Sequence, residues 1–199
     1  MAGAFPISSA KIESLGIKSI QNTIISKTVS GKKLARQIDG QRWGFTARII
    51  TAKRSDVYGE LMAFIVKQRS GKENFTIIPP EVEDARGTAS GTPNGTASAG
   101  ATSITLGGTG TGTLKAGDFI KFANHDKVYM VVVDQSDIST GSLTIEPPLT
   151  TAVSSSDITY NNVPFTVHLT NDIQEFGVVG ADKDGNALYQ FEFDVEESL

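Results

Sequence analysis

The side chains most able to do chemistry are two histidines, His125 and His168, in a chain of 199 residues that has no cysteine. His125 falls in a predicted polar turn and His168 on the polar face of a predicted strand. A metal pair or a catalytic triad would need the fold to bring them together. No nucleophile motif such as G-x-S-x-G accompanies them, and no thiolate is available as nucleophile or metal ligand. The sequence therefore predicts no catalytic residue, no metal site, no cofactor and no enzymatic activity.

Two glycine-containing loops resemble ligand-binding motifs without completing them. Residues 107–112, Gly-Gly-Thr-Gly-Thr-Gly, lack the Lys-Ser/Thr pair that ends a phosphate-binding loop, and no strand-helix-strand unit surrounds them. Residues 182–186, Asp-Lys-Asp-Gly-Asn, place glycine fourth instead of sixth, and Phe193 stands where a calcium loop needs glutamate. We expect a flexible loop at the first site and the tip of a β-hairpin at the second.

Charge is distributed unevenly along the chain, although the net charge is only −4. Residues 1–80 contain 13 basic and 5 acidic side chains, whereas residues 81–199 contain 5 basic and 17 acidic ones. A basic half is one feature of nucleic-acid-binding modules, but here no recognition motif accompanies it. The alternative is that the two halves, or neighbouring copies, pack against each other.

The best-defined elements of the first half are one strand and the helix that follows it. In residues 40–50, Trp43 and Phe45 alternate with polar or basic side chains, which predicts a strand with one buried face. Beyond it, Val57, Leu61, Phe64 and Ile65 predict an amphipathic helix of roughly 14 residues. We expect Ser55 to be its N-cap and Gly71 its C′ residue. Trp43 is expected to be buried against the apolar stripe of this helix.

The composition changes between residues 87 and 113, where eight residues are glycine and most others are threonine, serine or alanine. Such a segment can bury little apolar surface, so we expect a flexible hairpin, loop or linker that marks a boundary. Limited proteolysis is then expected to cut first between Arg86 and Gly112.

Short β-prone runs follow, with turn signals between them, and they predict a small barrel or sandwich. Near the C-terminus, Phe165, Val167 and Leu169 alternate with polar residues. The last strand has Phe191 and Phe193 on an inward face and Glu192 and Asp194 on an outward face. The predicted core thus contains Trp43, Phe45, Leu61, Phe64, Phe191 and Phe193.

Several short motifs carry a resemblance to a known family. In the first 80 residues they are Phe5-Pro6, Ser30-Gly31 before Arg36, Gln41-Arg42-Trp43, Met62-Ala63-Phe64, Gln68-Arg69-Ser70-Gly71 and Phe75 before Pro79-Pro80. This order resembles the N-terminal domain of tailed-phage distal tail proteins, including the tail-tip proteins of gene-transfer particles. Later motifs are similar to segments of phage tail structural proteins: residues 115–122, 127–130 and 147–149.

The resemblance implies a structural virion protein that forms a ring, usually hexameric, between the tail tube and the tail tip or baseplate. Its implied partners are the tail tube protein, baseplate hub or tail-tip proteins and, through an inserted domain, tail fibres. DNA would only pass through the lumen. The implied location is the virion tail, after synthesis in the bacterial host cytoplasm. Alternatives are a tail tube or tail-completion protein, or a nucleic-acid-binding module that uses the basic half.

The fold class expected is mainly β with one amphipathic helix (α+β). A β-sandwich or belt domain of residues 1–86 and 161–199 would receive an inserted hairpin and small β-barrel-like domain of residues 87–160. No apolar run approaches the ~18 residues of a membrane span. The N-terminus shows no signal-peptide pattern, and we expect no membrane partner.

Charged residues on the polar faces of two predicted strands suggest how copies could meet. Arg42 and Arg48 line the Trp43 strand, and Glu192 and Asp194, with Glu196 and Glu197, line the last strand. In a ring these opposite charges could pair head to tail between subunits, and the edge of the last strand could pair with a neighbouring copy. The acids could instead face solvent or the lumen.

Overall fold

The structure is a computed structural model that describes residues 3–8, 11–37, 40–80 and 82–199. Its helix, α1, spans Gly59–Lys67 and lies between a π-helical turn at Arg54–Tyr58 and a 3-10 turn at Ser70–Lys72. The strands, in chain order, are β1 (Ile12–Ile20), β2 (Thr23–Lys27), β3 (Lys33–Gln37), β4 (Arg42–Lys53), β5 (Phe75–Ile77), β6 (Pro93–Ala97), β7 (Ser103–Gly108), β8 (Phe119–Phe122), β9 (Val128–Val131), β10 (Ser142–Glu146), β11 (Val153–Thr159), β12 (Phe165–Leu169), β13 (Gly177–Ala181) and β14 (Ala187–Glu197).

One sheet is built from both ends of the chain. Its order is β1-β4-β14-β12-β5, all pairs are antiparallel, and β13 also pairs with β14. The two longest strands, β4 and β14, lie together in the middle. The prediction that the edge of the last strand needs a neighbouring copy is therefore wrong. β14 already has β4 on one side and β12 and β13 on the other.

Alternation along the central strands creates the core of this sheet. Trp43, Phe45, Ala47 and Ile49 of β4 are buried, as are Phe191, Phe193 and Val195 of β14. Leu61 and Ile65 of α1 are buried against the same core, while Phe64 is partly buried.

Phe5, near the N-terminus, completes an aromatic cluster on this core. Its ring centroid lies 5.8 Å from that of Phe64, 6.1 Å from that of Phe75 and 5.4 Å from that of Phe193. The backbone N–H of Phe5 donates to the carbonyl of Thr76 at 2.7 Å, so the N-terminal segment also lies along β5. Edge-to-face and offset ring pairs of this kind stabilise a core beyond their buried area.

The helix differs from its prediction at both ends. Ser55 lies inside the π-helical turn, and its hydroxyl donates to the Asp56 carboxylate at 3.0 Å instead of capping a backbone N–H. The turn is fixed by Tyr58, whose hydroxyl donates to the carbonyl of Ile50 at 2.9 Å. At the other end Gln68 is the C-cap and Arg69 takes the left-handed conformation, so Gly71 is not C′.

The second sheet is a closed barrel with the strand order β10-β7-β6-β11-β8-β9. The prediction of a mainly β fold with one helix and a small barrel is thus confirmed. Its interior has its own cluster of buried residues, which includes Ile104, Ile120, Phe122, Tyr129, Leu143, Ile145 and Ile158.

The glycine- and threonine-rich segment is a hairpin, one of the alternatives predicted, but it is part of the barrel wall, so the prediction of a flexible loop or linker is wrong. It forms the hairpin of β6 and β7, with Pro93 opposite Gly108 and Thr96 opposite Thr105. Beyond the paired residues of β6 and β7, at the end of the hairpin away from its turn, two pairs of side-chain hydroxyls form hydrogen bonds. They are Ser90 with Thr111 at 2.9 Å and Thr92 with Thr109 at 2.8 Å.

Glycine is required in this wall because neighbouring groups approach closely. A Cβ atom on Gly95 would lie 2.7 Å from Cγ2 of Ile104 and 2.8 Å from Cε1 of Phe122. Gly112 has φ +88°, and a Cβ there would lie 2.2 Å from the carbonyl oxygen of Thr88. The composition that suggests disorder therefore reflects tight packing.

Limited proteolysis is expected to cut the hairpin of β2 and β3 before the segment between Arg86 and Gly112. Residues 21–37 are all exposed and contain Lys27, Lys32 and Lys33, whereas Arg86 is held by Asp118. Exposed chain with few contacts opens most readily. Brief trypsin digestion followed by mass spectrometry gives the order of cleavage, and an earliest cut after Arg86 would contradict this prediction.

In the part of the chain that the structure describes, no helix combines the length and apolar character needed to cross a membrane.

Candidate functional site

The four charged residues predicted to form an oligomer interface lie on the two central strands. Arg48 lies opposite Glu192 in the register of β4 and β14. However, Arg48 forms an ion pair with Glu13 at 3.4 Å, and Arg42 forms one with Glu196 at 3.1 Å. Both arginines therefore already have acidic partners in their own subunit.

The two acids differ in their surroundings. Asp194 accepts a short hydrogen bond from Thr46 and pairs with Lys18 at 3.5 Å, whereas Glu192 is exposed. Of the four residues, Glu192 is thus the most accessible to another molecule.

Glu197 is not on the outward acidic face as predicted; it is buried where the sheet meets the barrel. Its carboxylate accepts hydrogen bonds from the backbone N–H of Val128 at 2.8 Å and of Trp43 at 3.1 Å. It also forms a short ion pair with Lys127, whose side chain is 1% exposed. Lys127 donates in addition to Oε1 of Gln41 at 2.9 Å.

The sequence contained a signal for Glu197 but none for its partner. Glu196 and Glu197 are adjacent on one strand, and successive side chains of a strand point to opposite faces. One of the two must therefore face inward. Lys127 lies 70 residues away, so only the fold shows the pair.

Burial controls the ionisation of this pair. Removal from water lowers the pKa of Lys127 and raises the pKa of Glu197, and the attraction between the two charges opposes both shifts. The charged pair is therefore maintained by its hydrogen bonds and close geometry against a desolvation cost.

Trp43 lies at the same junction. Its indole N–H donates to the carbonyl of Val128 at 2.9 Å, and its ring meets Phe119 edge to face at 5.0 Å. Both contacts are with the barrel segment, whereas the sequence predicted packing against the stripe of α1. Trp43 is buried, and it links the central strand of the sheet to β8 and β9.

The barrel is joined to the sheet by two neighbouring chain segments. Val163 donates its backbone N–H to the carbonyl of Glu83 at 3.1 Å, and Ala85 donates to the carbonyl of Tyr160 at 3.0 Å. Beside them, the buried Asp118 accepts from both the backbone N–H and Nε of Arg86 at 3.1 Å. The incoming and outgoing segments therefore hold each other and the barrel.

The two histidines do not come together as a reactive pair. His125 lies in the barrel between Asn124 and the hydroxyl of Tyr129, each at 2.8 Å, and stacks on Phe122. His168 is half-buried on β12, opposite Glu196 of β14. Among the described residues there is no group of three or more acids or histidines that could hold a metal ion.

Acidification is expected to destabilise the barrel through His125. Burial lowers the pKa of His125 below 6.5, the nearby ammonium of Lys121 lowers it further, and Asp126 opposes them. The unfolded chain then binds the proton more readily, so stability is lost as pH falls through 6.5 towards the folded pKa.

Thermal unfolding between pH 8 and pH 5 measures this loss. We expect His125→Gln to flatten the curve, with His168→Gln as the matched control outside the barrel. An unchanged slope in His125→Gln would contradict the assignment.

The hairpin of β2 and β3 extends beyond the end of the β1–β4 pair as a separate two-stranded sheet. It contains exposed apolar residues together with basic ones and no acid between residues 21 and 37. Its large exposed apolar side chains are Ile24, Ile25, Val29 and Leu34.

Comparison with protein families places a match on the barrel. Residues 83–163 match the family model described as distal tail protein pb9, B domain. The match begins and ends on the two segments that join the barrel to the sheet. A comparison with curated proteins finds no matching relative.

The barrel is therefore similar to a domain of phage tail structural proteins. More particularly, the barrel with its two connections corresponds to the B domain of a distal tail protein. The resemblance to the tailed-phage distal tail protein family is thereby confirmed.

Proposed function

We propose that this chain is a ring-forming, non-enzymatic distal tail protein that joins the tail tube to the tail tip or baseplate. The observation that carries the proposal is the match of residues 83–163 to a distal tail protein domain. Synthesis would take place in the bacterial host cytoplasm, before assembly into the virion.

The two sheets would have different roles in the tail. We propose that residues 1–86 and 161–199 form the ring and surround the lumen through which DNA passes. Residues 87–160 would project from it and contact baseplate hub, tail-tip or fibre proteins. The two hydrogen-bonded connections at residues 83–85 and 160–163 support this division, since an inserted domain needs both.

Of the four residues predicted to form the subunit interface, Glu192 is the one that we propose first. Arg42, Arg48 and Asp194 have ionic partners within the subunit, so their use between subunits would need an exchange of partners. Glu192 is exposed on the polar face of β14.

Purified protein tests the ring directly. Mass photometry should give a closed oligomer several times the 21.1 kDa of the monomer, and negative-stain images should show a ring with a central channel. Phage that lack the chain should assemble tails without the tip structure. A monomer at micromolar concentration, together with normal tails, would overturn the proposal.

A second candidate is nucleic-acid binding, which the basic exposed hairpin favours. Binding of this kind weakens steeply with salt because phosphate contacts release counterions. A monomer that shifts duplex DNA at low salt would support this candidate over the ring.

A further inference from the structure

The projecting hairpin lacks what a two-stranded sheet needs in order to be stable. Every residue from 21 to 37 is exposed, and an isolated hairpin is at best marginally stable in water. Lys27 and Lys33 also lie directly opposite each other, and like charges in that position repel. A partner with acidic and apolar groups would remove both deficits.

Both faces of the hairpin combine apolar and basic side chains. Ile24 and Leu34 share a face with Arg36, while Ile25 shares the other with Lys27 and Lys33, as the pairing register requires. At the tip, Val29 is fully exposed. A purely ionic partner such as DNA would leave these apolar groups in water.

A complementary surface exists on the same chain around β13. Val179 is exposed there, with Ile173 exposed in the segment before β13, and Glu175 and Glu192 are exposed beside Val179. A shallow groove of about 490 Å³ crosses this surface, lined by Arg48, Glu175, Gly177, Val179, Gln190 and Glu192. Arg48 is the cation of the groove, and it is paired with Glu13.

Within one molecule the hairpin and this surface lie apart. The hairpin leaves the sheet where Ile20 pairs with Arg42, whereas β13 pairs with the part of β14 that lies opposite Ala52 and Lys53. These two points are ten strand residues apart, roughly 33 Å, and the hairpin forms a separate two-stranded sheet beyond the first of them. A contact between the two surfaces is therefore considered between two copies.

We infer that the β2–β3 hairpin of one subunit docks on the β13 surface of the next subunit. In this contact, exposed hydrophobic side chains of the hairpin pack against exposed hydrophobic side chains of the β13 surface. The lysines of the hairpin form ion pairs with Glu175 and Glu192. Because the two surfaces are different, the contact is head to tail and repeats around a ring. The inference rests on the proposed ring and names its interface.

Charge reversal on each side tests the docking. We expect Lys27→Glu with Lys33→Glu to reduce the fraction of protein in rings by more than about tenfold, because like charges then face each other at the interface. Glu175→Lys with Glu192→Lys should do the same. One chain that carries all four substitutions should assemble again. The matched control is Lys67→Glu with Lys72→Glu, two exposed lysines outside the hairpin, and it should assemble normally.

These experiments distinguish failure of the docking proposal from failure of the proposed ring function. Rings that persist in either pair of reversals, or a fourfold variant that stays monomeric, would overturn the docking while the wild-type ring stands. A wild type that forms no ring would overturn the proposed function as well. A monomeric wild type whose shift of DNA is lost with the two hairpin substitutions would reassign the hairpin to nucleic acid.

Cross-linking gives a second measurement that does not depend on charge. The chain has no cysteine, so Val29→Cys with Val179→Cys introduces the only thiols. A short bismaleimide should link neighbouring subunits into a ladder that ends at the ring size. The control Val29→Cys with Val133→Cys places the second thiol on the barrel and should give no ladder. Equal ladders from both proteins would overturn the docking.

Discussion

Replacing Lys127 by methionine is expected to lower the free energy of unfolding by about 3–5 kcal/mol, because it leaves a buried carboxylate without its cation. Glu197 is buried and accepts from the backbone N–H groups of Trp43 and Val128, so bulk solvent does not reach the carboxylate. Denaturant unfolding followed by far-UV circular dichroism measures the loss. The control Lys115→Met removes an exposed ion pair with Asp134 and should cost about 1 kcal/mol or less.

A second substitution shows whether the loss comes from the unpaired charge. Lys127→Met with Glu197→Gln removes the buried negative charge and keeps one acceptor for the two backbone N–H groups. We expect the double variant to be more stable than Lys127→Met alone. Simple addition of the two single losses would mean that the groups do not interact, which would contradict the buried pair.

The pH dependence of Lys127→Met provides an independent check. Burial already raises the pKa of Glu197, and the loss of the ammonium raises it further. A raised folded pKa favours the protonated carboxyl in the folded state, so stability decreases as pH rises through that value. The deficit of Lys127→Met should therefore be smaller at pH 5 than at pH 8.

Sequence periodicity predicted the strands that have one buried and one polar face. Trp43 and Phe45 in β4, and Phe191 and Phe193 in β14, alternate with polar residues because one side of the sheet meets the core. The same pattern does not specify which strands are neighbours. Nothing in the alternation of β14 shows that it lies in the middle of the sheet.

The glycine-rich wall of the barrel shows why composition misled the prediction. Burial scales count side chains, and Gly95 has none, yet its backbone lies against Ile104 and Phe122. The missing side chain lets the Gly95 backbone approach the large apolar side chains of Ile104 and Phe122 closely. Composition alone does not distinguish such packing from a flexible linker.

The junction could be predicted only in part. Two successive acids at the end of a strand require one to face inward, which points to Glu196 or Glu197. Lys127 and the carbonyl of Val128 reach the junction only because the barrel is placed against the end of β14. Long-range placement of this kind depends on the whole topology.

Replacing Trp43 by alanine is expected to lower the free energy of unfolding by about 3–5 kcal/mol, the usual range for truncating a buried aromatic side chain. The indole is 6% exposed, contacts Phe119 and donates to the carbonyl of Val128. Truncation therefore opens a cavity and leaves a buried acceptor without its donor. Denaturant unfolding followed by far-UV circular dichroism measures the effect in a variant that has no tryptophan.

Trp43→Phe separates the two contributions, because phenylalanine keeps an aromatic ring against Phe119 but cannot donate to Val128. Its loss should be smaller than that of Trp43→Ala, about 1–3 kcal/mol for the unsatisfied carbonyl. In the wild type, the only tryptophan of the chain should emit at short wavelength and resist quenching by iodide. Red-shifted, readily quenched emission from the native protein would show that the indole is in water and would contradict its place between the sheet and the barrel.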